Sequence, residues 1–299
     1  MPNNANSTPD HPPICDYEDS TYRTDFWEGR GRDYEDGAER LAIRRLLPAQ
    51  GRRLLDIGAG FGRLADLYSG YDEVILLDYS VSQLQYARAR LGDERFIYVA
   101  ADIYRLPLAG DAVDTTVMVR VLHHLVDVPL AFRQIARVTA GGGAFLLEFA
   151  NKRHLKNILR YALGRGPNPF TREPYAFADL HYDFHPAWVR QRLSEAGLAP
   201  GPRLSVSLFR LGLLKRRVPT GLLVALDGAL QRVTAPLTPA PSVFLRSLVA
   251  RRASPAVSDR ARLFVCPACG AALTPAEGGL RCAACAADYP CEDGIYVFK

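Results

Sequence analysis

Apolar positions in this chain come in short runs, unbroken at residues 74–77 and 96–99 and interrupted by one or two polar residues at 54–57, 115–119, 144–149 and 243–249. A near-continuous apolar run of strand length predicts a strand buried on both faces, as in a parallel sheet. Residues 35–47 follow a helical period instead. Ala38, Ala42 and Leu46, with the pair Leu41/Ile43, make an apolar stripe; Arg40, Arg44 and Arg45 lie off it, and Pro48 ends it. Residues 219–233 predict another helix. Runs of this kind interleaved with helices predict an α/β fold built as a doubly wound sheet.

The first run carries chemistry at its end. Asp56-Ile57-Gly58-Ala59-Gly60-Phe61-Gly62 is a D-x-G-x-G-x-G turn followed by a helical pattern. Glycine permits strained backbone angles and close approach of a ligand. A helix start there offers free N–H groups and a positive dipole end to a carboxylate or phosphate. A dinucleotide fingerprint requires its third glycine at position 63, which is Arg63; here the glycine falls one place early.

Two further runs also lead to acids. Asp78 lies about 20 residues after the turn, where a carboxylate can accept hydrogen bonds from both ribose hydroxyls. The bland alternative is a turn or helix N-cap, a role Ser80 can also fill. Asp102, beside Ile103, suits an adenine amino group with the apolar neighbour covering the ring; the alternative is a surface-loop acid. In an open parallel sheet these strand ends line one crevice.

The G-x-G-x-G turn with its preceding aspartate resembles the first motif of the class I S-adenosylmethionine-dependent methyltransferases. The segment 111–125, ending Arg120-Val121-Leu122-His123-His124-Leu125, is similar to their fourth-strand motif. Gly141-Gly142-Gly143 resembles the turn into their fifth strand, and residues 185–198 the helix and turn before the sixth. The nearest group in pattern is the ubiquinone/menaquinone type. The resemblance spans roughly residues 35–200. It implies a Rossmann-like, seven-stranded, mostly parallel sheet with one antiparallel strand. It places Asp56, Gly58, Gly60 and Gly62 around the methionine moiety, Asp78 at the ribose, Asp102 and Ile103 at the adenine, and Arg120 beside the sulfonium. Ala59 and Tyr79 complete the expected cofactor-binding set. An N-terminal segment with Arg30, Arg32 and Tyr34 would fold over the cofactor, or else be a solvated loop. His123 and His124 are the best-placed bases, but methyl transfer to a good nucleophile requires none, and no catalytic residue is assigned. The implied acceptor is a small molecule; RNA or protein is the other reading.

Composition adds little until the C-terminus. The chain has 299 residues, 48% hydrophobic and 23% charged, with net charge +5, which is compatible with an anionic partner without demanding one. No apolar run approaches the ~20 residues of a membrane span. Residues 1–13 are polar and lack a signal-peptide core, which predicts a cytoplasmic protein. Between residues 152 and 172 seven basic residues are interleaved with aromatics; such a stretch can bind RNA or an anionic lipid, and the favoured reading is a solvated basic helix face leading into a Gly/Pro loop. Then Cys266-Pro267-Ala268-Cys269 and Cys282-Ala283-Ala284-Cys285 place two C-x-x-C knuckles with 12 residues between them. Four thiolates in this spacing predict a closed, structural tetrahedral zinc site whose metal drives folding of the segment. With its tail, 288–295, it resembles the small zinc-ribbon proteins that activate tRNA, rRNA and protein methyltransferases, although Cys291 stands where an aliphatic residue is expected. The expected organisation is a disordered tail (1–21), a methyltransferase domain (22–250), a linker (251–262) and a zinc ribbon (263–299).

Overall fold

The computed structural model describes residues 12–20 and 31–299. After helix α1 (Asp33–Leu46) come β1 (Gly51–Ile57), β2 (Tyr71–Asp78), α2 (Val81–Leu91), β3 (Phe96–Ala101), β4 (Val113–Met118), α3 (Val128–Val138) and β5 (Thr139–Ala150). An excursion follows: α4 (Leu155–Ala162) and the small hairpin β6 (Tyr175–Ala178) and β7 (His181–Asp183). The chain then returns through α5 (Pro186–Glu195), β8 (Leu198–Val206), α6 (Gly212–Arg217), α7 (Thr220–Val233) and β9 (Ser242–Val249). Four short strands end it: β10 (Leu273–Ala276), β11 (Gly279–Cys282), β12 (Asp288–Glu292) and β13 (Ile295–Phe298).

The central sheet runs β10-β11-β12-β13-β3-β2-β1-β4-β5-β9-β8. Its inner part is the expected seven strands, of which only β9 is antiparallel to its neighbours. The sheet is larger than seven strands, however. β3 would be an edge with unpaired N–H and C=O groups; β13 pairs with it in parallel, from Ile295↔Tyr98 to Phe298↔Ala101, and the other three C-terminal strands extend the sheet outward. Covering a bare edge in this way removes a site for unwanted strand pairing.

Alternation along each inner strand divides the core in two. Leu54, Val74 and Leu76 face one side with Tyr34, Ala38 and Ala42 of α1, Leu84 of α2 and Leu223 of α7. Leu55, Ile75 and Leu77 face the other with Phe132 and Ile135 of α3 and Val189 of α5. Both faces are covered, which is why the strands read as near-continuous apolar runs. Leu263, Phe264, Cys266, Tyr289 and Phe298 belong to the α3 side, so the C-terminal segment is continuous with that core. The stretch before it is strapped along the sheet: fully buried Arg53 pairs with Glu73 and donates to the carbonyls of Ala112 and Val257 at 2.9 and 2.8 Å. No described helix is long and apolar enough to cross a membrane.

Candidate active site

The strand order reverses between β1 and β4, and a cleft opens there above the C-terminal strand ends, the usual ligand position in open α/β sheets. Its floor is the glycine turn. Gly58, Gly60 and Gly62 have φ of +70°, +51° and +72°. Gly58 has no room for a Cβ, which would meet Val121 Cγ2 at 2.1 Å. Gly60 faces open space, its nearest neighbour on that side being Asp78 Oδ2 at 4.0 Å. Gly62 turns toward α2, where a Cβ would touch Leu91 at 2.9 Å. The helix expected after the turn is replaced by a 3₁₀ turn, Ala65–Tyr68. Only residues 63–70 separate the glycines from β2, too few for an α-helix with its connections. The first-turn amides of a long helix therefore do not form the anion site; the exposed backbone of the glycine turn remains.

Asp78 sits at the tip of β2. Its Oδ2 accepts from the Gly60 amide at 2.7 Å and its Oδ1 from Ser80 at 2.9 Å. Each oxygen retains a lone pair for a further donor. Burial pushes this carboxyl up, against the backbone donors that pull it down. Ser80 is the α2 N-cap, accepting from Gln83 N, so Asp78 is not needed for that role. Asp56 accepts from Tyr68 Oη at 2.9 Å, and burial raises it to about 7. Asp102 accepts from Tyr104 N at 2.8 Å, capping a short 3₁₀ turn that begins at Ile103.

Of the expected set, Gly58, Gly60, Asp78, Tyr79, Ile103 and Arg120 line one cavity. Asp56 and Ala59 line an adjoining one together with Gly58, Gly60 and Arg120. Gly62 and Asp102 line neither. Tyr34 lines neither: its hydroxyl donates to Asp227 at 2.7 Å and accepts from Phe209 N. Arg30 lies outside the described residues.

Several residues at the site carry no motif. Glu39 of α1 is fully buried and pairs with Arg120 (Nε to Oε1, 3.0 Å) and Arg63 (3.0 Å). Burial alone would raise its carboxyl, but the two guanidiniums outweigh that and hold it at about 2. The signal for it was a glutamate on the apolar face of α1, one residue after Ala38. Arg120 has φ +62° and donates its amide to buried Glu148 at 2.9 Å, fixing the chain as it leaves β4. The segment 12–20, expected in a disordered tail, crosses the cleft. Ile14, Cys15 and Tyr17 line it, and Glu18 accepts from the first amides of α2, Val81 and Ser82, at 2.7 and 2.8 Å. Lys299 lies 3.5 Å from Glu18 and 4.5 Å from the centre of the Tyr79 ring.

Beyond Arg120 a second, larger chamber of about 390 Å³ is lined by His123, His124, His154 and His181, with Asp183 and Arg210. The rings of His123 and His124 lie 3.9 Å apart, and His181 meets His124 edge-on at 4.7 Å. His124 binds the Leu180 carbonyl through Nδ1 at 3.0 Å, so Nδ1 carries the proton and Nε2 accepts from Tyr17 Oη at 3.1 Å. Burial, then the neighbouring charges, push His123 far below the usual imidazole range. Burial lowers His124 and His154 to about 4. His123, His124 and His154 are therefore neutral at physiological pH.

The four predicted cysteines converge. Their sulfurs all lie within 4.8 Å of one another, Cys266 with Cys285 at 3.6 Å and Cys269 with Cys282 at 3.4 Å. Thiolates around one tetrahedral zinc at about 2.3 Å stand roughly 3.8 Å apart, so the donor set fits a zinc ion. Cys291 lies on β12 outside this group.

Residues 55–147 match a family model described as a methyltransferase domain. Over 131 residues the chain is 32% identical to 27-O-demethylrifamycin SV methyltransferase of Amycolatopsis mediterranei, covering 41% of this chain and 48% of that protein. Over 161 residues it is 28% identical to demethylmenaquinone methyltransferase of Roseiflexus sp., covering 48% and 67%. The chain thus spans about half to two thirds of the length of the curated relatives it matches. Among solved structures, the complex between the Haloferax volcanii Trm112 methyltransferase activator and a methyltransferase superposes with a TM-score of 0.52 at 17% identity, covering 75% of this chain and 95% of that chain. The fold and cleft are those of an open Rossmann-like α/β sheet, and the stretch 55–147 within it carries the methyltransferase-domain match. The proteins the chain is similar to include methyltransferases of the menaquinone type.

Proposed function

We propose that this chain is an S-adenosylmethionine-dependent methyltransferase acting on a small-molecule acceptor. The observation that carries this is the pairing of Asp78 with the open glycine turn. A carboxylate with free lone pairs stands at the tip of β2, beside a Gly60 that leaves the cleft open. Asp78 would hold the ribose hydroxyls, with Tyr79 beside it. Ala101 and Ile103 would cover the adenine, and Asp102 would read its amino group from the rim. Gly58, Ala59, Gly60 and Asp56 would enclose the methionine end. Gly62 would act by seating the turn on α2. Arg120 would place its backbone next to the sulfonium. When bound, the donor supplies an electrophilic methyl group, and the protein's work is to align an acceptor atom with it.

The histidine chamber is the proposed acceptor site. Burial keeps His123, His124 and His154 neutral, so these rings do not repel a cationic sulfonium next door. His123 opens onto the chamber and offers a weak base, suited to an acceptor whose proton is already acidic. The C-terminal ribbon, with one structural zinc on Cys266, Cys269, Cys282 and Cys285, would serve as a covalently attached counterpart of the activator in the Haloferax complex. The pairing of β13 with β3 supports that reading.

Calorimetry of the purified, metal-replete chain with S-adenosylmethionine and its demethylated product tests the donor assignment; no heat from either overturns it. Labelled donor with fractionated cell extract tests the acceptor class. Label in the organic phase is expected, whereas label in RNA or protein would replace the small-molecule reading.

A further inference from the structure

The basic stretch 152–172 contributes more than a solvated face. Arg153 and Arg172 line a cavity of about 370 Å³ together with Arg190 of α5 and Arg203 of β8, beside His185 and Thr238. Among the described residues no carboxylate lines it. Arg53, Arg63 and Arg120 are each paired with a carboxylate, Arg53 with Glu73 and the other two with Glu39. In this cavity Arg153 and Arg203 are half-buried and Arg172 and Arg190 exposed, and none of the four has a carboxylate lining the cavity beside it. Arg203 donates only to the carbonyls of Ala235 and Pro236, at 2.9 and 3.2 Å. Arg153 Nε is buried with no hydrogen-bond partner. A buried donor left without an acceptor is costly and rare.

The remaining groups have the same polarity. His185 is the α5 N-cap; its Nδ1 accepts from Ala187 N at 3.1 Å, so its proton resides on Nε2 and that edge is a donor. Burial and the charges of Arg153, Lys152 and Arg172 keep the ring neutral. The N-terminus of α5 opens on the cavity through Pro186 and Ala187, adding the positive end of its dipole. Burial, then the charges of Arg190 and Arg153, lower the Arg203 guanidinium below its ordinary value.

We propose that this cavity is a binding site for a phosphate group. Four guanidiniums offer forked N–H pairs that match tetrahedral phosphate oxygens, and the missing negative charge would satisfy the donor that is now orphaned. The site is separate from the methyl-transfer cleft, yet it backs onto the histidine chamber. Arg153 and His154, Asp183 and His185, and Thr238 and Pro241 supply neighbouring residues to opposite cavities. A phosphate seated here stands one wall away from the proposed acceptor.

Calorimetry of the full chain with pyrophosphate and with inorganic phosphate tests the proposal, in low salt and in added chloride. One saturable site is expected, weakened by salt, and weakened at least about tenfold in the Arg153→Gln/Arg190→Gln double variant. Binding of demethylated donor product and the thermal midpoint, read on the same samples, should stay unchanged, because neither arginine makes an ion pair that the fold uses. The readout requires no methyl transfer, so its failure is distinct from failure of the methyltransferase reading. Octyl phosphate that binds more tightly than inorganic phosphate places the source in a phosphorylated acceptor; equal affinity places it in free phosphate. Absence of saturable heat, or equal affinity in wild type and double variant, overturns the proposal.

Discussion

The cleft and the histidine chamber meet at Arg120 and are built by opposite means. The cleft rests on backbone: three glycines at positive φ, and Asp78 locked by two amides. The chamber rests on side chains from the segment after β4, from β5, the β6–β7 hairpin and the start of β9, brought together by packing alone. A backbone-built site tolerates little change at a few positions. A side-chain-built site can change its lining while the strands beneath stay put. This division accounts for how one fold can keep a donor constant and vary the acceptor.

The contrast is easiest to break at Gly58. A Cβ there meets Val121 at 2.1 Å and φ is +70°, so Gly58→Ala combines left-handed strain of about 1–2 kcal/mol with overpacking of about 1–3 kcal/mol. The expected result is loss of donor-product binding by about 100-fold or more, with a lower melting temperature. An unchanged dissociation constant would show that the turn does not form the cleft.

Glu39→Gln strikes the seam between the two regions. It leaves Arg63 and Arg120 beside a neutral group in a buried place, at a cost of about 3–5 kcal/mol by denaturant titration. The sign with pH follows from the depressed carboxyl. Glu39 near 2 stabilises the fold above the ordinary carboxylate range, and that contribution disappears as pH falls from about 4.5 toward 2. The variant should therefore lose part of the acid sensitivity of the parent. His124 and His154, held at about 4, act in a different window: their contribution fades as pH falls from 6.5 toward 4.

Asp78→Asn should weaken donor-product binding by about 10- to 100-fold, since a charge-assisted hydrogen bond is worth about 1.5–3 kcal/mol, while leaving the chamber intact. Chelating the zinc proposed at the four cysteines should act on the cleft side alone. β13 lies against β3, and Lys299 reaches Glu18 and Tyr79, so donor affinity falls by about tenfold or less while the melting temperature drops. His123→Asn is the smallest of the set for binding: donor-product affinity stays within about twofold, and turnover changes with the acidity of the acceptor. A large change in donor affinity in that variant would merge the two regions into one.

Legibility followed the same line. Asp56, Gly58, Gly60, Asp78 and Ile103 could be picked from local order, because strand-end acids and left-handed glycines leave a mark within a few residues. Six of the seven inner strands were readable as apolar runs because they are largely buried; β8, exposed at residues 199, 201 and 202, entered only through the family resemblance. The helix after the glycine turn was not, since its absence depends on how soon β2 begins at Tyr71. Glu39 was within reach as a glutamate on an apolar stripe. Arg210, Asp183 and the Arg153 cavity were not, as nothing near them in the chain reports which distant segments they meet.

The order of residues alone determined the parallel α/β core, the glycine turn with its strand-end acids, and the four-cysteine cluster. Each arises from periodicity or short-range spacing that acts before the chain is compact. Tertiary structure alone decided that β13 would close the edge left by β3, that residues 12–20 would cross the cleft, and that four histidines and four unneutralised arginines would face opposite sides of one wall. Those arrangements depend on contacts between segments tens to hundreds of residues apart, selected by burial and charge once the sheet has formed.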